Sequence, residues 1–187
     1  MAWPRIYPDN SGVPNQLGID FYNNLINELI ENGITPIVTL YHYDMPVWVD
    51  EEFNGWYGRG IIDAFDQYVP TCFNEFGDRV KYWLAINEQN MQIVYGDWLG
   101  VCKYPDTWFE DKWKVNHIMN LCHAKTVIAC HELVEDEQNI AIASYDQENN
   151  IDIWMLNLTT FNEKKERTVH STLWRNNEHL YDFQVRK

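Results

Sequence analysis

The sequence predicts an α/β fold built on a parallel sheet. Apolar runs of strand length alternate with amphipathic helical segments as far as residue 145, and each strand-to-strand unit is long enough for a helical crossover. The strand-like runs lack polar alternation, which is typical of parallel strands buried on both faces. An open doubly wound sheet and a segment of a barrel are both compatible with this order of elements.

The N-terminal part of the chain is predicted to contain two extended segments and one helix. Pro4 and Pro8 bracket residues 1–8, which we interpret as the end of a strand. Apolar residues recur at helical spacing over 18–32 and predict a helix, which the glycine that follows them ends. A continuous β-rich run then predicts a fully buried strand over 34–42.

The central elements are predicted by the same criteria, apolar spacing for helices and short β-rich runs for strands. Two of the connections are long and rich in aromatic residues, and loops of that length are usually functional or partly structured. In chain order the elements are loop 45–60, helix 61–76, strand 80–86, loop 91–115, helix 116–134 and strand 138–145.

The character of the chain changes after the last of these strands. The last glycine is Gly100 and the last proline is Pro105, so the C-terminal part lacks the residues that usually close β/α units. We therefore divide the chain into a domain at 1–146 and a tail at 147–187. Two strand-like runs flank residues 175–178, which predicts a hairpin, although a poorly ordered tail is an open alternative.

Composition and charge exclude several classes of function. The formal net charge is −14, and no basic patch is offered to phosphate, so we expect neither a nucleic-acid nor an anionic-membrane partner. Neither a signal peptide nor an apolar run of membrane-spanning length is found. The four cysteines form no CxxC pair, which indicates a reducing, cytoplasmic setting. We expect no cofactor and no metal site, since no nucleotide-binding glycine motif follows a strand and the histidines have no ligand spacing.

Polar side chains capable of chemistry stand at the ends of two predicted strands. The run 80–86 is followed by Asn87 and Glu88, and the run 34–42 ends in His42. Parallel β/α folds build their sites at the C-terminal ends of strands, which makes these residues candidates for a site. The alternative is that they belong to ordinary polar loops.

Several stretches taken together resemble family 1 glycoside hydrolases, the family of β-glucosidases and 6-phospho-β-glucosidases. Their order and spacing are far more specific than any single stretch. The resemblance covers about residues 1–145. The stretches are WPRIYP (3–8), GIDFYNNLINELIENGITPIVTLYHYDMP (18–46), NGWYGR (54–59), FGDRVKYWLAINEQN (76–90), YG (95–96) and NHIMNLCHAKTV (116–127).

This resemblance implies a fold, a reaction and three site residues. The family fold is a (β/α)8 barrel, of which the chain would contain the end of the second strand and the third to fifth strands. Glu88 matches the general acid/base of a retaining enzyme that hydrolyses β-glucosides or 6-phospho-β-glucosides. Asn87 matches the residue that binds the sugar 2-hydroxyl, and His42 matches a histidine that binds another sugar hydroxyl.

The chain departs from the family pattern at three points. Gln89 replaces the proline of the NEP motif, and Tyr43 stands where many members have tryptophan. The nucleophile motif TENG does not occur, and the glutamates of the tail lie in no matching motif. A retaining enzyme needs a second carboxylate about 5–5.5 Å from the first, so activity of this chain alone is in question.

Three interpretations follow from these departures. The chain is a truncated glycoside hydrolase, a half barrel that binds a sugar or a partner without catalysis, or a gene fragment without function whose residues from 147 onward come from an unrelated reading frame. A half barrel leaves strand edges unpaired, so we also expect possible oligomers through these edges.

Overall fold

The computed structural model describes residues 1–95, 108–134, 139–143, 153–157, 169–172 and 182–185, with side chains described for 1–93 and 112–134. The helices are α1 Trp3–Ile6, α2 Gln16–Glu31, α3 Val47–Phe53, α4 Gly60–Phe76, α5 Gln89–Tyr95 and α6 Trp108–Leu133. The strands are β1 Ile37–Tyr41, β2 Tyr82–Asn87, β3 Asn139–Ala143, β4 Ile153–Asn157, β5 Val169–Thr172 and β6 Asp182–Val185.

The described strands form one six-stranded sheet in the order β1-β2-β3-β4-β5-β6. The first three strands are parallel, with Tyr41 opposite Ile86 and Leu84 opposite Ala141. This confirms the predicted parallel sheet, in which α4 lies between β1 and β2 along the chain and α6 lies between β2 and β3. The last three strands run antiparallel to their neighbours, and β5 pairs with β6.

Helix α4 packs against the first two strands through buried aromatic side chains. The ring of Phe73 meets the edge of Trp83 on β2 at 4.9 Å between centroids. The hydroxyl of the buried Tyr68 donates a hydrogen bond of 2.9 Å to the carbonyl of Leu40 on β1. Buried aromatic side chains contribute strongly to the stability of a core, so these contacts hold both strands against α4.

The prediction that residues 1–8 end a strand is wrong for most of that segment. Trp3–Ile6 form one helical turn, with a proline at its start. Proline suits the first turn of a helix, because its φ is already helical and the N–H groups of that turn have no partner within the helix. Ala2, directly before the helix, is extended, and the Met1 amino group donates to the carbonyl of Thr39 on β1. The ring of Trp3 stacks on Tyr68 and anchors this segment in the core.

The predicted loop over 45–60 is also wrong, since it contains α3 and a 3-10 turn at Gly55–Tyr57. Pro46 precedes α3, and Asn54 ends it in the left-handed conformation with φ of 59°. Asparagine tolerates this conformation better than most residues, so it can end a helix where glycine is usual. Seven residues are too few to show a clear helical period in a sequence.

The predicted loop over 91–115 is replaced at both ends by helix. Helix α5 begins at Gln89, and α6 begins at Trp108 instead of the predicted residue 116. The remainder of this predicted loop lies outside the described residues. The first turns of α6 contain aromatic and charged residues together, and this mixture hides the apolar spacing by which a helix is recognised in a sequence. Helix α5 therefore follows the strand that carries the candidate site residues without a loop between them.

Candidate functional site

The C-terminal ends of β1 and β2 bring the predicted site residues together. Tyr41 and Ile86 are register partners, so the residues that follow them leave the sheet side by side. The Nδ2 atom of Asn87 lies 3.4 Å from Nε2 of His42, at hydrogen-bond distance. Two side chains that are 45 positions apart in the sequence thus meet at one edge of the sheet.

A tyrosine joins this group and contacts the predicted acid/base directly. The hydroxyl of Tyr43 donates to Oε2 of Glu88 at 3.1 Å and lies 3.4 Å from its backbone carbonyl. Burial raises the pKa of Tyr43, and the negative charge of Glu88 raises it further. Tyr43 is therefore a stable hydroxyl donor to Glu88 at neutral pH. We call His42, Tyr43, Asn87 and Glu88 the strand-end cluster.

Both members of the tyrosine–glutamate contact have a backbone conformation that is rare for side-chain-bearing residues. The φ angle is 68° at Tyr43 and 42° at Glu88. Conformations of this kind persist only when surrounding contacts fix them, and they concentrate at functional sites. At Glu88 the contacts include its carbonyl, which accepts hydrogen bonds from Met91 N at 2.9 Å and Gln92 N at 3.3 Å at the start of α5.

Beneath the strand-end cluster lies a buried chain of polar side chains. The indole N–H of Trp56 donates to the hydroxyl of Tyr41 at 3.0 Å, and this hydroxyl donates to Oε1 of Gln92 at 3.4 Å. Gln92 is fully buried. Because an unpaired buried polar group is costly, this chain links β1, α5 and the 3-10 turn in one arrangement.

A second carboxyl group stabilises the turn after β1. The backbone N–H of His42 donates to Oδ1 of Asp44 at 3.3 Å. Burial raises the pKa of Asp44, while this hydrogen bond acts in the opposite direction. The contact fixes the backbone of His42 where the chain leaves the strand.

The strand-end cluster offers the groups that a glycoside needs. A carboxyl group can protonate an ether oxygen, and an amide and an imidazole can bind hydroxyl groups. The described residues contain no group of three or more potential metal ligands. The structure thus brings Glu88, Asn87 and His42 together, while their roles stay predictions.

Sequence reasoning missed two contributors to this site. In the sequence Tyr43 stands out only as a replacement for tryptophan, and nothing singles out Gln92. The one feature of the sequence that points to Tyr43 as a site residue is its position directly after a strand-end histidine. No signal in the sequence distinguished Gln92 from a surface glutamine.

Comparison with known proteins identifies one family. The model of "Glycosyl hydrolase family 1" matches residues 1–168. The match therefore reaches into the segment 147–187, which the motifs alone left unmatched.

Relatives and solved structures of this family each match more than half of the chain. A cytosolic β-glucosidase from Homo sapiens is 48% identical over 102 residues, which are 54% of this chain and 22% of the relative. An aryl-phospho-β-D-glucosidase, BglC from Bacillus subtilis (strain 168), is 38% identical over 138 residues, which are 73% of this chain and 28% of the relative. A β-glucosidase from Thermotoga maritima in complex with glucoimidazole has 38% identity and a TM-score of 0.68, over 75% of this chain and 32% of that structure.

The chain thus aligns with roughly a quarter of each of these curated relatives, since the matched parts are 22% and 28% of their lengths. Its described fold corresponds to the matched third of the solved β-glucosidase, 32% of that chain.

Proposed function

The chain belongs to glycosyl hydrolase family 1, and we propose that it carries the acid/base side of a retaining β-glucosidase site. The observation that supports this most strongly is the strand-end cluster, in which Glu88 receives a hydrogen bond from Tyr43 and Asn87 lies beside His42. The solved β-glucosidase relatives and the parallel sheet support the corresponding fold assignment. In that assignment β1, β2 and β3 are the third, fourth and fifth strands of a (β/α)8 barrel.

Glu88 acts as the general acid/base in this proposal. Its carboxylic acid protonates the glycosidic oxygen as the bond to the anomeric carbon breaks, and its carboxylate later removes a proton from the attacking water. Asn87 binds the 2-hydroxyl of the sugar, a contact that strengthens in the transition state. His42 binds a second hydroxyl and orients the ring.

The proposed substrate is a β-glucoside or a 6-phospho-β-glucoside. Relatives named β-glucosidase support the first, and the relative named aryl-phospho-β-D-glucosidase supports the second. The relative named cytosolic β-glucosidase supports a cytoplasmic location. No helix among the described residues is long and apolar enough to cross a membrane.

The second carboxylate is the part of the mechanism that we do not assign. The TENG motif is absent from the 187 residues. Without a nucleophile the covalent glycosyl intermediate cannot form, so we expect these residues to bind a glucoside and place an acid beside its glycosidic oxygen without breaking the bond. A small external anion can take the place of the missing carboxylate in an experiment.

The test is a turnover assay with phenyl β-D-glucoside and its 6-phosphate, with and without sodium azide. In the expected step azide attacks the anomeric carbon, the glycosidic bond breaks, and Glu88 gives its proton to the leaving phenolate. The products are glucosyl azide and phenol. We expect phenol release that requires azide and falls at least about 10²-fold in Glu88→Gln, the factor usual for loss of a general acid. Equal rates for the wild-type chain and Glu88→Gln would contradict the proposal.

A second candidate is a half barrel that binds sugar without catalysis. The absence of the nucleophile motif favours it. The same assay separates the two candidates when it is combined with calorimetry. Saturable glucoside binding that Asn87→Ala weakens, with no phenol release even in azide, would favour the binding module.

We also propose that the chain oligomerises through the exposed part of its sheet. The partners Ile37 and Tyr82, at the start of β1 and β2, are 66% and 41% exposed. Apolar side chains exposed next to each other on a sheet favour association. Size-exclusion chromatography with light scattering should give a mass above 22.3 kDa, and a monomer at all accessible concentrations would contradict this.

A further inference from the structure

Glu88 has a backbone conformation that its neighbours must hold in place. Its φ of +42° lies in the left-handed region, which residues with a side chain seldom occupy. Its carbonyl accepts the N–H groups of Met91 and Gln92. Because these two bonds form the first turn of α5, whatever fixes this turn also fixes the backbone of Glu88.

The side chain of Gln89 ties this turn to another helix. Gln89 is the first residue of α5 and is 7% exposed. Its Nε2 donates to Oδ1 of Asn116 at 2.7 Å and to Oδ1 of Asn120 at 2.9 Å, and it lies 3.3 Å from the carbonyl of Asn116. The two asparagines are four residues apart and therefore share one face of α6. Both N–H bonds of the Gln89 amide point to α6.

The contact depends on the departure of this chain from the NEP motif. A proline at position 89 would have no N–H group to offer to α6. It would also push the preceding residue toward an extended conformation with φ of about −120°. The observed φ of Glu88, +42°, lies outside that range.

We propose that Gln89 is a positioning residue that holds Glu88 against Tyr43 by tying the first turn of α5 to α6. This rests on the proposed function of Glu88 as the acid/base. If Gln89 only filled space, its loss would lower stability and leave the Glu88 carboxylate where it is. If it positions Glu88, its loss displaces the carboxylate from the hydroxyl of Tyr43.

The first test follows the Glu88 carboxyl carbon by 13C NMR in chain labelled with [13C]glutamate. Glu88→Gln assigns the resonance, and Tyr43→Phe gives its position without the hydrogen bond. Gln89→Met, similar in size but without the N–H donors, is expected to move the resonance toward the Tyr43→Phe position. Asn120→Ala, which removes one acceptor on α6, should move it in the same direction by a smaller amount.

A matched control uses Gln67, an exposed glutamine that donates a single hydrogen bond to the carbonyl of Gly12. Gln67→Met should leave the Glu88 resonance unchanged. Gln89→Pro restores the family residue and is expected to shift the resonance too. A Glu88 resonance that stays at its wild-type position in a folded Gln89→Met variant would overturn the proposal.

The second test uses leaving groups in the azide assay. The position of the acid affects the rate for phenyl β-D-glucoside, because its leaving group needs a proton. It has little effect on the rate for the 2,4-dinitrophenyl glucoside, because 2,4-dinitrophenolate leaves without one. A misplacement of about 1 Å can lower a rate about 10²-fold. Gln89→Met should therefore slow phenol release by up to that factor and leave 2,4-dinitrophenol release nearly unchanged. An equal loss on both substrates would indicate a merely structural role and overturn the proposal.

The two tests separate this inference from the proposed function. If the wild-type chain releases no phenol in azide, the proposed catalysis fails, and the NMR resonance still decides whether Gln89 positions Glu88. If the chain is active but the resonance and the leaving-group ratio are unchanged in Gln89→Met, the proposed function stands and the role of Gln89 is refuted.

Discussion

Because the imidazole of His123 is buried, we expect the chain to lose stability in mild acid. It lies on α6, is 6% exposed, and neither ring nitrogen has a hydrogen-bond partner among the described residues. Burial disfavours the charged imidazolium and lowers the pKa of His123 to about 4. In the unfolded chain the pKa of a histidine is about 6.5.

The difference between these pKa values sets the direction and size of the effect. Between pH 6.5 and 4 His123 binds a proton in the unfolded state and stays neutral in the folded state. The free energy of unfolding therefore falls as the pH falls through this range. The full difference is worth about 3 kcal/mol, since one pKa unit corresponds to about 1.4 kcal/mol. Between pH 7 and pH 5 the same relation gives a loss of about 2 kcal/mol.

The assay is urea denaturation of the wild-type chain and of His123→Leu at pH 7 and pH 5. Leucine has no titratable group, so the variant should lose about 2 kcal/mol less than the wild-type chain between the two pH values. Asp44, whose pKa is raised by burial, contributes a change of the opposite sign. That change is common to both proteins and cancels in the comparison.

His117 provides the control, because it lies on the same helix and is exposed. His117→Leu therefore controls for the loss of a histidine from α6 without a change in the buried core. Equal losses of the free energy of unfolding between pH 7 and pH 5 in His123→Leu and the wild-type chain would refute this role of His123.

Two further predictions concern packing, and urea denaturation measures both. Gly18→Ala should destabilise the chain by about 1–3 kcal/mol, because the new Cβ would lie 2.1 Å from the carbonyl oxygen of Arg5; helix propensity alone would stabilise it by about 1 kcal/mol, so a gain would contradict the clash. Trp56→Phe should lower the free energy of unfolding by about 1–3 kcal/mol, because it removes the hydrogen bond to the Tyr41 hydroxyl. The control Trp113→Phe, at an exposed position, should change it by less than about 0.5 kcal/mol. Equal effects of the two substitutions would count against the buried polar chain.

The parts of the fold that the sequence predicts are those with a long or simple pattern. Helix α4 was expected over 61–76 and is observed at Gly60–Phe76, since its apolar face repeats over several turns. The short helix α3 was missed because one apolar face over seven residues resembles a loop rich in aromatics. Long elements are thus specified by periodicity, whereas short ones depend on a terminating residue such as Asn54.

The candidate site also has one part that the sequence predicts and one part that it does not. That Asn87 and His42 would lie near each other follows from the sequence, since the C-terminal ends of neighbouring parallel strands meet at one edge. The contact between Tyr43 and Glu88 could not be predicted. It requires positive φ angles at both residues, and tertiary contacts impose such angles against local preference.

The configuration of the glucosyl azide tests most directly whether this chain supplies the acid/base without a nucleophile. With phenyl β-D-glucoside and azide, a single displacement on the face opposite to Glu88 gives α-glucosyl azide. A chain that had its own nucleophile would pass through a covalent intermediate, and two displacements would give β-glucosyl azide. We expect NMR to show the α product, formed by the wild-type chain and lost in Glu88→Gln. A β product would contradict it.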